Sequence, residues 1–224
     1  RMISKWPARG GPVVVGDAVY FGAGIWPADG VYVYALKAES GEKVWVNGKT
    51  GHIDAAQPHR GGVRPNAAVS VQGHLAADWD RIYAPAGRAV PAVFSRADGK
   101  LLHFNMARNG DGNGGATGGS EAAVVDSLLL NGSAGLDAAS GQRLMSTFRT
   151  RAAPAAGPKH IFYPGHRRGA VWVLGIDRAK PVPEGKRGRG LMPKRAWELK
   201  PAGVRSERPS AIVAGGTLVV GASG

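Results

Sequence analysis

Apolar residues in this chain come in short runs, each bounded by Gly, Pro, Asp or Asn, and no segment of useful length carries a helical period. One run recurs. Asp17-Ala18-Val19-Tyr20-Phe21-Gly22-Ala23-Gly24 is echoed at 80–87, at 126–133, more loosely at 159–166, and begins again at 216–221. Each copy sets a polar turn residue before β-branched, aromatic or aliphatic residues and ends on small ones. Such a pattern predicts a strand that enters from a tight turn and leaves through a Gly-rich corner. After each of the first copies comes a second signal, clearest in Ala35-Leu36-Lys37-Ala38-Glu39-Ser40-Gly41-Glu42-Lys43-Val44-Trp45. It predicts a strand, a turn closed by Gly41, and a return strand that delivers an indole. Weaker forms lie at 94–102, with Gly99, and at 136–144, with Gly141. A fourth hairpin starts at 170–177, and 194–199 is its expected return strand. Most copies follow a further apolar run, such as Pro12-Val13-Val14-Val15 or Ala211-Ile212-Val213-Ala214.

The unit is therefore four short antiparallel strands in roughly forty residues, the length and strand count of a propeller blade. The expected fold is an all-β propeller of four-stranded antiparallel blades, about four blades and the start of a fifth. A single partial propeller domain is expected over 1–224, with loop insertions near 47–64, 109–119 and 178–208. The chain starts without Met and stops just after a strand-like run; we expect a piece of a longer protein.

The string Ala35-x-x-x-x-Ser40-Gly41-x-x-x-Trp45 resembles the tryptophan-docking repeat of the pyrroloquinoline quinone (PQQ)-type β-propellers. In that family the indole of one blade packs against its neighbour, forming a girdle of aromatic staples. The resemblance makes Ala35, Gly41, Trp45, Gly99, Gly141, Trp172 and Trp197 the expected blade-docking residues, with Leu102 and Met145 in the docking region of the second and third copies. Lys37 stands where the family usually has Asp, whereas Asp137 and Asp177 suit that position. Gly24-Ile25-Trp26-Pro27, Gln57-Pro58-His59 and Gly87-Arg88-Ala89-Val90-Pro91-Ala92 are closer to one branch, the BamB-like repeat proteins of bacteria such as planctomycetes. The resemblance implies a ring of about eight blades and a place in the periplasm or cell envelope. It also makes PQQ a possible cofactor.

Composition narrows the chemistry. The 35 Gly and 15 Pro sit between the apolar runs, where turns need them. With no cysteine there is no disulfide, thiolate metal site or cysteine nucleophile. No apolar stretch approaches a membrane span. The net charge is +13, and residues 178–208 hold ten Lys/Arg against three Glu. Such a segment is a solvated basic loop or a dock for an anionic surface, so peripheral membrane association is open. Aromatic residues are nearly absent between the charges, which disfavours nucleic acid.

A quinoprotein dehydrogenase of this resemblance would need an Asp base and a carboxylate set for Ca²⁺, and no carboxylate here falls in a matching motif. Most Asp residues occupy turn positions. Asp111-Gly112-Asn113-Gly114-Gly115 lacks the downstream Glu of a calcium loop. The spacing of His52 and His59 matches no common zinc pattern, and Ser70 and Ser133 lack a nucleophile-elbow string. No catalytic residue and no metal ligand is assigned. His52, Gln57, His59, Arg64, Gln72 and Arg88 are the candidate ligand-binding residues, on loops over one mouth of the propeller. Purely structural loops remain the other reading. The expected function is a non-catalytic binding or interaction scaffold for a protein, peptide or glycan. The alternatives are part of a PQQ- and calcium-dependent dehydrogenase, or an anionic-surface binder acting through 178–208.

Overall fold

The alternation of short apolar runs with tight turns builds a chain of antiparallel meanders. The computed structural model describes residues 4, 6–26, 29–51, 69–87, 89–104, 118–132, 134–148, 150, 152–185 and 191–222. The first sheet runs β1 (Ala8–Val15), β2 (Ala18–Ala23), β3 (Tyr32–Lys37), β4 (Lys43–Asn47), each strand bonded to the next. The second is β5 (Ala76–Ala77), β6 (Arg81–Ala86), β7 (Ala89–Ser95), β8 (Leu101–His103). The third is β9 (Ala122–Val125), β10 (Leu128–Asn131), β11 (Ala134–Asp137), β12 (Arg143–Ser146). The fourth is β13 (Ala155–Ala156), β14 (His160–Arg167), β15 (Ala170–Asp177), β16 (Arg195–Leu199). A two-stranded sheet, β17 (Ser210–Ala214) with β18 (Thr217–Gly221), begins a fifth blade.

The same contacts recur blade after blade. The turn between the third and fourth strands donates a backbone N–H to the turn between the first and second: Ala38 to Asp17, Arg96 to Asp80, Ala138 to Ser127 and Arg178 to Lys159, at 2.7–3.0 Å. Both turns therefore share one face of the molecule. The second-to-third-strand turns and the blade-to-blade connectors share the other.

The core lies between sheets. Tyr20, Ala35 and Trp45 of the first blade pack with Val71, Ile82 and Phe94 of the second. Tyr83 and Val93 pack with Leu129 and Leu136, and Leu130 and Met145 with Tyr163 and Ile176. Each large side chain so buried contributes about 1.5–3 kcal/mol. Middle strands of inner blades are covered on both faces, so β7 is buried along nearly its whole length. In β17 and β18 exposed positions alternate with half-buried ones, leaving Ile212 and Val219 open to solvent.

Blade docking has a defined geometry. Trp45 pairs with Ala35 across β3 and β4. Its ring lies over Gly99 in the next blade's turn, where an added Cβ would come within 2.4 Å of it, and its indole N–H donates to the Arg96 carbonyl at 2.9 Å. In the second blade the register pairs Val93 with His103, so His103 and not Leu102 holds the docking position. Leu102 points outward and is exposed. The His103 imidazole lies over Gly141, 2.7 Å from where a Cβ would be, and bonds the Ala138 backbone. Met145 faces Gly135 in the third blade and is fully buried. Trp197 faces Gly175 in the fourth and touches Phe162 and His160. Trp172 belongs to a middle strand, lies on Gly165 opposite it, and packs at the edge of the cluster between the third and fourth blades. Gly41 forms the first blade's turn with no side chain near it.

Candidate binding site

The meander puts the second-to-third-strand turns and the connectors on one face. Of the candidate ligand-binding residues Gln72 is described. It is exposed, donates its backbone N–H to the Pro85 carbonyl at 2.8 Å, and its side chain borders Gly87. His52, Gln57, His59, Arg64 and Arg88 lie outside the described residues, as do Ser133, the 111–115 loop and the basic run 186–190.

Where β1 meets the segments leading into β5 and β9, the backbones approach so closely that Gly10 and Gly73 have no room for a Cβ. A Cβ on Gly10 would fall 1.9 Å from the Gly73 oxygen, and one on Gly73 would fall 1.7 Å from the Ser120 oxygen. Backbone bonds tie the three segments, Leu75 N–H to Gly11 and His74 N–H to Ser120, both at 3.1 Å. This contact sets His74 beside Glu121, with Nδ1 and Oε2 3.4 Å apart.

Between the third and fourth blades, on the same face, opens a cavity of about 810 Å³. Its wall comes from the entry to β9, the end of β10, the 147–154 connector, Tyr163 of β14, and Arg208. Most of its polar groups are spent on holding the frame. Buried Asn131 accepts from Gly119 N–H at 2.9 Å and donates to the Gly119 and Glu121 carbonyls. Thr147 and Thr150 donate to the Gly132 and Ala152 carbonyls. Among the described residues the Ser120, Tyr163 and Arg208 side chains are not so spent. The Tyr163 hydroxyl is buried with no hydrogen-bond partner among the described residues. Burial pushes its ionisation well above the usual phenol range, so it stays neutral. The exposed Arg208 guanidinium has no ion pair or hydrogen bond among the described residues. Phe148 stands edge-on to Tyr163, with ring centroids 5.3 Å apart.

Sequence reasoning missed Tyr163 and Glu121 as site residues and took Arg208 only as the end of a basic run. Arg208 carried a charge signal. Tyr163 carried none, because a strand tyrosine becomes noteworthy only once its hydroxyl is seen to lack a partner.

The resemblance to quinoproteins implies PQQ held with Ca²⁺, which needs several oxygen ligands at one point. Among the described residues no three His, Cys, Asp or Glu side chains gather, and Glu121 is the one carboxylate on the cavity wall. The described residues do not fit that group. Among them, too, no helix is long and apolar enough to cross a membrane.

Comparison with solved structures agrees with the meander. BamB from Moraxella catarrhalis superposes with a TM-score of 0.52 at 15% identity, covering 94% of this chain and 57% of that one. The computationally designed Ika8 protein gives 0.55 at 14%, covering 94% and 54%. The chain has the fold of a PQQ-like β-propeller. It spans just over half the length of these two neighbours. A europium-containing methanol dehydrogenase matches more loosely, with a TM-score of 0.48 at 15% identity over 88% of this chain and 43% of its own. No family model and no curated protein matches the propeller's sequence.

Proposed function

We propose that this propeller is a non-catalytic binding scaffold that presents its connector face, centred on the cavity between the third and fourth blades, to a protein partner. The carrying observation is the cavity itself, framed by spent polar groups yet keeping a neutral buried hydroxyl and an uncommitted guanidinium. A pocket of this size and a few convergent polar groups suit ligand capture, and loops on a rigid scaffold are where binding function resides. The fold shared with BamB supports placing it in the bacterial periplasm or cell envelope. Peptide and glycan ligands belong to the same reading. The PQQ dehydrogenase alternative would need its donor set outside the described residues.

Photo-crosslinking in the native host tests this. A crosslinking residue at Thr150, on the connector face, should give a discrete protein adduct, while one at Ser140, on the opposite face, should give none. Equal adducts at both positions, or none at Thr150, would overturn the proposal.

A further inference from the structure

Some basic side chains of the described propeller are held by an acid. Arg178 grips Asp126 with two bonds of 2.8 and 2.9 Å. Arg195 and Lys200 share Glu198, and Lys37 holds Glu42. The connector face of the fourth blade gathers several that are not. The β14–β15 turn carries Arg167 and Arg168, and the segment leading to β17 carries Arg205 and Arg208; all four are exposed. The two pieces are fastened together by Val171 N–H to Val204, Ser206 N–H to Gly169, and an antiparallel bridge from Ala170 to Arg205. Arg205 donates to the Arg168 carbonyl at 2.8 Å, a bond that leaves its charge uncompensated. The acid in this cluster is Glu207, which faces His166 Nδ1 at 3.4 Å without making a hydrogen bond. Among the described residues four guanidinium groups thus stand against the one carboxylate of Glu207 in this patch, while Glu121 on the cavity wall lies beside His74.

Arg168 at φ 50° and Gly169 at φ 79° are the two left-handed central residues of the hairpin turn closed by the Arg167–Ala170 pair, which fixes where the Arg167 and Arg168 side chains leave the backbone. Arg208 also lies on the wall of the cavity that Tyr163 helps to line, so the patch continues into that pocket.

Resting on the binding reading above, we propose that the patch and cavity together dock an acidic polypeptide segment, with a glutamate or aspartate side chain entering the cavity and the flanking acids lying along the arginines. Arginine forks suit carboxylates, and a neutral phenol can only assist as a donor to such a group. A flat lipid surface would leave the cavity unused. Nucleic acid would call for open aromatic platforms, whereas Phe148 and Tyr163 pack against each other.

The test is fluorescence anisotropy of a labelled glutamate-rich peptide on the full chain, with its glutamine counterpart as control. The glutamate peptide should bind, weaken as salt rises, and lose about tenfold in affinity with Arg208→Gln or Arg205→Gln. Tyr163→Phe should weaken binding without lowering the melting temperature, and Lys43→Gln, a charge change on the first blade, should have no effect. Circular dichroism checks that each variant folds. Equal binding of the glutamine peptide, equal loss with Lys43→Gln, or tighter arginine-dependent binding to phosphatidylglycerol vesicles or to a DNA oligonucleotide would overturn the proposal. If the peptide fails while Thr150 still crosslinks a protein, the binding reading stands and the acidic class is wrong; if both fail, both fall.

Discussion

His103 shows how one residue alters a repeated device. In the first blade Trp45 covers the small Ala35, and in the fourth Trp197 covers Gly175; in the second, the branched Val93 fills that space and a smaller imidazole replaces the indole. His103 Nε2 is buried without a hydrogen-bond partner among the described residues. Burial at the blade interface holds its protonation below the ordinary histidine range and Arg81 pushes the same way, while the Ala138 carbonyl and Asp137 favour the charged form. The unfolded chain therefore takes up this proton at a higher pH than the folded one. The His103 contribution to stability is complete above pH about 6.5 and is lost as pH falls through the folded-state pKa. His103→Trp alone should overpack against Val93 and cost about 1–3 kcal/mol. The double variant His103→Trp/Val93→Ala should recover the loss and flatten the acid limb of a melting-temperature profile. A single variant at least as stable as the double one would contradict this account of the staple.

At the scale of the hairpin, Gly41 and Gly99 separate backbone cost from docking cost. They occupy equivalent turns at φ 71° and 70°, and each donates its N–H at 2.9 Å to the residue four positions before it. The Trp45 ring lies over Gly99, whereas nothing lies within 4 Å of a Cβ on Gly41. Gly41→Ala should cost the left-handed penalty, about 1–2 kcal/mol. Gly99→Ala should cost that and a further 1–3 kcal/mol or so for displacing the indole. Urea unfolding of the two variants compares them, and equal losses would show that the indole contact adds no stability. These turns were legible in the sequence because Asp, Ser and Gly recur at fixed offsets from apolar runs. The His103 position was legible too, since it follows Gly99 by four residues as Trp45 follows Gly41. A search for apolar residues chose Leu102 instead, because the bulge between Val93 and Phe94 that sets which residue faces inward is a matter of register.

Across the whole molecule, blades stack through apolar faces, and the exposed Arg178–Asp126 pair ties the third to the fourth at the face opposite the cavity. This architecture was legible because every blade repeats one pattern. The site was not, because a cavity between blades is assembled from residues far apart in sequence: Glu121, Tyr163 and Arg208 share no motif. Of the loop candidates read from sequence, Gln72 lies among the described residues, beside the turn at Gly87. Charge was half informative. It pointed to 178–208, and the structure separates paired cations such as Arg178 and Arg195 from the uncompensated Arg205 and Arg208. The most direct test of the non-catalytic reading is isothermal titration of PQQ, with and without Ca²⁺, into the protein. We expect no calcium-dependent binding. Calcium-dependent binding at micromolar or tighter affinity would contradict the scaffold account and establish a quinoprotein.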